Sequence, residues 1–100
     1  MQSDLFEPTA EEKFQRYHRD NPHVFQLFKR FANEVRLAGH RRYSAVAIVN
    51  RIRWHFSVET KGDSFKMNNN YTAFYARLLV QNYPEFEDFF EFREQKSRSN

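Results

Sequence analysis

Apolar residues recur at helical spacing in several stretches of the chain, and the clearest of these begins just after three consecutive asparagines, Asn68–Asn70. Its apolar positions fall at i, i+3, i+4, i+7 and i+8, which is one face of an α-helix. They are Tyr71, Phe74, Tyr75, Leu78 and Leu79. Asparagine is a favourable N-cap. The pattern predicts a central helix over about 70–82, against which the other helices pack.

A second long stripe predicts a helix over about 22–38. Asn21 and Pro22 suit its N-cap and first turn, because proline has no N–H to leave unsatisfied there. The stripe consists of Val24, Leu27, Phe28, Phe31 and Val35. Gly39 is a typical residue just past a helix end.

Two shorter helices complete the predicted set. Thr9 followed by Glu12 matches the capping-box pattern and predicts a helix over 10–18. Ser44 is a candidate N-cap for a helix that runs to about residue 57. Its inner face would carry Ala45, Ile48, Val49, Ile52 and Phe56.

The remaining stretches are less regular. Pro84 predicts the start of another helix, with acidic residues near its positive end and three phenylalanines, Phe86, Phe89 and Phe90, on its apolar face. Residues 56–67 fit either a small β-hairpin or an irregular polar loop. The prediction is therefore an all-α bundle of four to five helices, with an optional hairpin near residues 56–67.

Composition supports this picture. Twelve Phe, five Tyr and one Trp supply large buried areas, whereas two Gly and three Pro are too few for a turn-rich β-sandwich. One hundred residues make one domain. We predict a single domain over 1–100, in which 1–9 is a loosely held leader and 95–100 a polar tail.

The chain lacks several features of other protein classes. It has no cysteine, which excludes disulfides and thiolate metal sites and fits the cytoplasm. It has no apolar run of the roughly 20 residues that span a bilayer. Its first residues include neither a positively charged segment nor an apolar stretch, so we expect no secretory signal. The expectation is a cytoplasmic protein that does not bind membranes.

The sequence gives no support for catalysis or a cofactor. It has no cysteine nucleophile and no glycine-rich phosphate loop, so we predict no catalytic residue and no enzyme activity. Its four histidines lack the i, i+4 spacing of a metal-binding helix, and its acidic residues near the C-terminus fit a solvated helix face. We predict no metal site.

Five spaced segments resemble a group of small proteins encoded by bacteriophages and prophages. They cover residues 21–25, 52–56, 62–71, 75–78 and 84–86. The similarity extends over roughly residues 14–94. It implies a phage context inside a bacterial host cell and implies nothing catalytic.

Two kinds of binding remain. Nucleic acid is one, because the formal charge is +3 and arginines cluster along residues 41–53. The candidate phosphate contacts are Arg41, Arg42, Arg51 and Arg53, and the candidate base readers are Asn69 and Asn70. The connection between residues 57 and 69 is too long for a helix-turn-helix motif, whose turn has only a few residues.

The second candidate function is docking on a protein. Trp54 lies beside two arginines, and clusters of Trp and Arg are typical of protein interfaces. Trp54 is therefore the candidate anchor. The partner would be a host or phage protein or a second copy of the chain, and the protein would act as an adaptor or inhibitor.

Overall fold

The computed structural model describes residues 7–60 and 65–91, and four α-helices account for most of them. The helices are α1 (Ala10–Asp20), α2 (Pro22–Leu37), α3 (Ala45–Trp54) and α4 (Tyr71–Asn82). A π-helical turn, His55–Glu59, continues α3, and a 3₁₀ turn, Pro84–Phe86, follows α4. The predicted all-α bundle is confirmed, and all four helices begin within a residue of their predicted starts.

The central position predicted for α4 is also confirmed. It contacts each of the other three helices. Tyr75 is fully buried, and its ring lies 4.7 Å from that of Phe14 on α1 and 5.9 Å from that of Phe28 on α2. Phe74 and Leu78, on the same stripe, are half-buried and pack against the core.

Aromatic rings from every helix except α3, together with those of the C-terminal segment, dominate the core. The buried residues are Phe14, Val24, Phe25, Phe28, Phe31, Ala32, Ile48, Val49, Ile52, Tyr71, Tyr75, Ala76, Leu79, Phe86, Phe89 and Phe90. Each fully buried large apolar side chain contributes roughly 1.5–3 kcal/mol. The small α3 contributes aliphatic side chains instead, and this leaves its single tryptophan outside.

Two of the predicted helix caps are confirmed. The Thr9 hydroxyl accepts a hydrogen bond from the Glu12 amide at 3.1 Å, and the Glu12 carboxylate accepts one from the Thr9 amide at 2.9 Å. The Ser44 hydroxyl accepts from the Ala47 amide at 3.2 Å. Each bond satisfies an amide that the first turn of its helix would otherwise leave without a partner.

The side-chain caps predicted from asparagine are wrong. Asn21 precedes α2, but its Nδ2 donates back to the Tyr17 carbonyl at the end of α1. Asn70 precedes α4 with helical backbone angles, and its side chain makes no capping bond. Asn68 supplies the local bond there, because its Oδ1 accepts from the Asn70 amide at 2.8 Å.

The helix predicted from Pro84 is also wrong in the described residues. After one 3₁₀ turn the backbone reaches φ +65° at Asp88, which ends helical geometry. The Tyr43 amide then donates to the Phe89 carbonyl at 3.0 Å, so this segment lies against the α2–α3 connector. The rest of the predicted helix, from residue 92, lies outside the described residues.

The optional hairpin does not form where the chain is described. Residues 56–59, with which the predicted hairpin would begin, lie in the π-helical turn, and Val58 is exposed. Residues 65–68 have no regular structure, and 61–64 lie outside the described part. Of the helices described here, none has both the length and the apolar character needed to cross a bilayer.

Candidate interaction surface

Trp54 is the last residue of α3 and is 52% exposed. Val58 follows it by four residues in the π-helical turn and is 54% exposed. Residues four apart lie side by side on a helical segment. These two side chains, together with Arg51 one turn earlier, form what we call the Trp54 surface.

Arg51 lies between two aromatic rings. Its guanidinium carbon is 4.2 Å from the ring centroid of Phe31 on α2 and 5.1 Å from that of Trp54. A guanidinium over an aromatic face is attracted by the ring quadrupole. The contacts link the exposed indole to the buried core, because Phe31 is 2% exposed.

A carboxylate in the π-helical turn fixes Arg51 from the other side. Glu59 accepts from Arg51 Nη2 at 3.1 Å and from Nη1 at 3.4 Å, and its Oε1 lies 2.7 Å from His55 Nδ1. The hydrogen bond with His55 and then those with Arg51 lower the pKa of Glu59 below its ordinary value. The carboxylate thus holds the turn together and balances the charge of Arg51.

The predicted phosphate contacts do not share one surface. Arg51 and Arg53 are two residues apart, which on a helix turns the side chains by about 200°. Arg51 is held against Phe31, whereas Arg53 Nη2 donates to Asn69 Oδ1 at 2.6 Å on the other side of α3. The structure therefore brings Arg53 together with Asn69 and separates both from Arg51.

An open groove lies on that other side, between α3 and the start of α4, and we call it the α3/α4 groove. Its larger part has a volume of about 740 Å³ and is lined by Ser44, Ala45, Val46, Asn69, Asn70, Thr72, Ala73, Ala76 and Glu91. A smaller part of about 430 Å³ adds Val49, Asn50 and Arg53. Sequence reasoning did not include Val46 or Asn50 in a site, although their i, i+4, i+7 spacing with Arg53 was available.

Arg41 and Arg42 are exposed on the connector that leads into α3. Arg42 Nη1 lies 3.9 Å from Glu91 Oε2, and both side chains are largely exposed. An exposed ion pair at this distance contributes little, so Arg42 stays accessible to other anions. Asn70 is exposed as well and lines the same groove.

Residues 7–60 and 65–91 contain no candidate metal site. No three His, Asp or Glu side chains lie close enough there to hold an ion. The best-organised polar cluster is the pairing of Glu59 with Arg51 and His55, and it is a structural network beside an exposed indole.

Comparison with protein-family models, curated proteins and solved structures finds no match.

Proposed function

We propose that this is an interaction protein that docks on a protein partner through the Trp54 surface and acts as an adaptor or inhibitor. The observation that supports this most is the half-exposed Trp54 ring lying against Arg51, whose own position is fixed by Phe31 and Glu59. Tryptophan and arginine are the residues most enriched among those that dominate binding energy. A side chain already held in place loses less entropy on binding.

The charge arrangement at Arg51 favours a protein over a phosphate backbone at this surface. Glu59 balances the guanidinium, and a phosphate would have to compete with that carboxylate. Val58 adds exposed apolar area beside the indole. An apolar patch with a balanced polar edge is typical of protein interfaces.

The proposal includes a cellular setting. The resemblance to phage and prophage proteins supports a host or phage partner inside a bacterial cell, and the absence of cysteine from the sequence supports a reducing cytoplasm. A second copy of the chain is included among the partners. No step of this function requires a cofactor or a catalytic residue.

Site-specific photo-cross-linking tests the proposal. A photoreactive amino acid is placed at position 58, beside Trp54 on the same surface, and, as a matched control, at position 37, where Leu37 is 70% exposed at the end of α2. We expect one protein to be captured from position 58 and not from position 37. The captured protein, or the chain itself if dimers form, is then purified for binding measurements.

With the purified partner, Trp54→Ala is expected to weaken binding by about tenfold or more, since truncating a central interface tryptophan typically costs at least about 2 kcal/mol. Leu37→Ala removes a comparable exposed side chain elsewhere and should leave affinity unchanged. Equal affinity for Trp54→Ala and the unmodified protein, with retained helical circular dichroism, would contradict the proposal.

A further inference from the structure

The α3/α4 groove carries an ordered line of side chains that the Trp54 surface does not use. Val46, Asn50 and Arg53 follow each other at intervals of four and three residues, so they lie along one face of α3. Val46 is 59% exposed although it is apolar, and Asn50 is exposed beside it. Val46, Asn50 and Arg53 are not part of the core, because the buried residues of α3 are Ile48, Val49 and Ile52.

The charge of Arg53 is not balanced by any carboxylate among the described residues. Its partner is the neutral amide oxygen of Asn69, whereas Arg51 is paired with Glu59. This bond also orients Asn69, since with Oδ1 occupied its Nδ2 donors are directed elsewhere. The pair therefore presents hydrogen-bond donors and one full positive charge, which favours a ligand rich in acceptors.

Further positive charge lies where the groove begins. Arg41 and Arg42 are exposed on the connector before α3, and Arg42 lies beside Glu91, which lines the groove. Glu91 is the acidic residue among the groove-lining side chains, and its pairing with Arg42 is loose, at 3.9 Å between exposed groups. Arg53 and Arg42 outnumber this one carboxylate, and Arg41 adds positive charge to the connector, so the charge around the groove complements an anionic chain.

We propose that this face binds duplex DNA, with α3 entering the major groove. Asparagine pairs with the adenine edge and arginine with guanine, so Asn50 and Arg53 are placed to contact base edges. Val46 is placed against a thymine methyl group. Arg41 and Arg42 contact phosphates beside the helix.

The alternatives fit the same face less well. The deep, narrow major groove of duplex RNA does not admit a helix. Single strands are bound largely by stacking on aromatic rings, and the lining residues of the α3/α4 groove include none. An acidic peptide would complement the charge of Arg53. It would give no specific role to Asn50 and Val46, whose side chains suit contacts with base edges.

Fluorescence anisotropy with a labelled mixed-sequence DNA duplex tests this inference, at salt concentrations from about 50 to 200 mM. Binding is expected at low salt and should weaken as salt rises. Arg53→Gln removes a proposed base contact and should reduce affinity about tenfold, whereas Arg42→Gln removes a proposed phosphate contact and should lower the slope of the salt dependence by about one unit. The matched control is Arg19→Gln, which removes an exposed cation from α1 and should change neither quantity.

Two further variants sharpen the result. Glu91→Gln removes the carboxylate at the groove edge and should strengthen binding. Trp54→Ala should bind DNA as the unmodified protein does, so that this inference and the docking function can fail separately. No binding at low salt, equal losses for Arg53→Gln and Arg19→Gln, or tighter binding to single strands, duplex RNA or an acidic peptide would overturn the inference.

Discussion

The Arg51 guanidinium and the Glu59 carboxylate are joined by two hydrogen bonds, of 3.1 and 3.4 Å, across the π-helical turn that continues α3. His55 adds a third contact to the same carboxylate at 2.7 Å. Isolated exposed ion pairs contribute little to stability, but a two-pronged arginine pair in a network has defined geometry. Here the network fixes the residue that lies against Trp54, so it couples the shape of the turn to the docking surface.

Acidification should loosen this turn. The pKa of Glu59 is lowered in the folded protein, so its pairing stabilises the fold at pH values above the ordinary pKa of 4.5 and this contribution is lost as pH falls through the lowered value. The free energy of unfolding of the unmodified protein should exceed that of Glu59→Gln at pH values above 4.5. Below that pH the difference should shrink, which urea denaturation at a series of pH values will measure.

The control for this experiment is Glu87→Gln, at an exposed position that forms no ion pair with the described residues. Its stability should follow that of the unmodified protein over the same pH range. If Glu59→Gln also follows the unmodified protein at every pH, the network does not hold the turn.

The hydroxyl of Tyr75 should be dispensable for stability. The side chain is fully buried, and its Oη makes no hydrogen bond to the described residues. Burial, and the nearby hydroxyls of Tyr17 and Tyr71, raise the pKa of Tyr75. Tyr75→Phe should increase the free energy of unfolding by about 1 kcal/mol in urea denaturation, because a buried polar group without a partner is costly.

Tyr17→Phe is the matched comparison. The Tyr17 hydroxyl donates to the Lys66 carbonyl at 3.0 Å, so its removal should lower stability by about 1 kcal/mol. A loss of similar size for Tyr75→Phe would show that its hydroxyl has a stabilising partner after all.

Two helix starts should respond differently to the loss of a polar side chain. The Ser44 hydroxyl caps α3, so Ser44→Ala should cost about 1 kcal/mol. Asn70 makes no side-chain cap at α4, so Asn70→Ala should cost clearly less. Thermal unfolding of both variants checks this, and a larger loss at Asn70 would contradict the cap assignment.

Helices α2, α3 and α4 were predictable because their apolar stripes repeat over several turns, and α1 was predictable from its capping box. The predicted side-chain cap at Asn21 failed because this residue had two chemically equivalent sets of partners. Asn21 follows α1 directly, and its amide bonds to the Tyr17 carbonyl behind it instead of the α2 amides ahead. Nothing in the local pattern distinguishes these two choices.

The C-terminal segment shows a longer-range version of this ambiguity. A helix from Pro84 would place Phe86, Phe89 and Phe90 on one face, and the observed turn buries the same three rings. The observed turn differs from the predicted helix in the hydrogen bond from the Tyr43 amide to the Phe89 carbonyl, which joins residues far apart in the sequence. Periodicity carries no information about such a contact.

The candidate sites were predictable to a similar extent. Trp54 was identified from its neighbours in the sequence, and the rotation of 100° per residue already separates Arg51 from Arg53. The placement of Asn69 against Arg53, and hence the α3/α4 groove, depends on how α4 packs beside α3. The exposure of Trp54 follows from the same packing, because the inward face of α3 is filled by Ile48 and Ile52.

Fluorescence of Trp54, the single tryptophan in the chain, tests the docking function most directly. In the free protein its emission should be that of a solvent-exposed indole and should be readily quenched by acrylamide. On addition of the purified partner, or at concentrations where the chain self-associates, the emission should shift to shorter wavelength and the quenching should fall, because the ring becomes buried in the interface. A complex that forms with unchanged emission and unchanged quenching would contradict docking through Trp54.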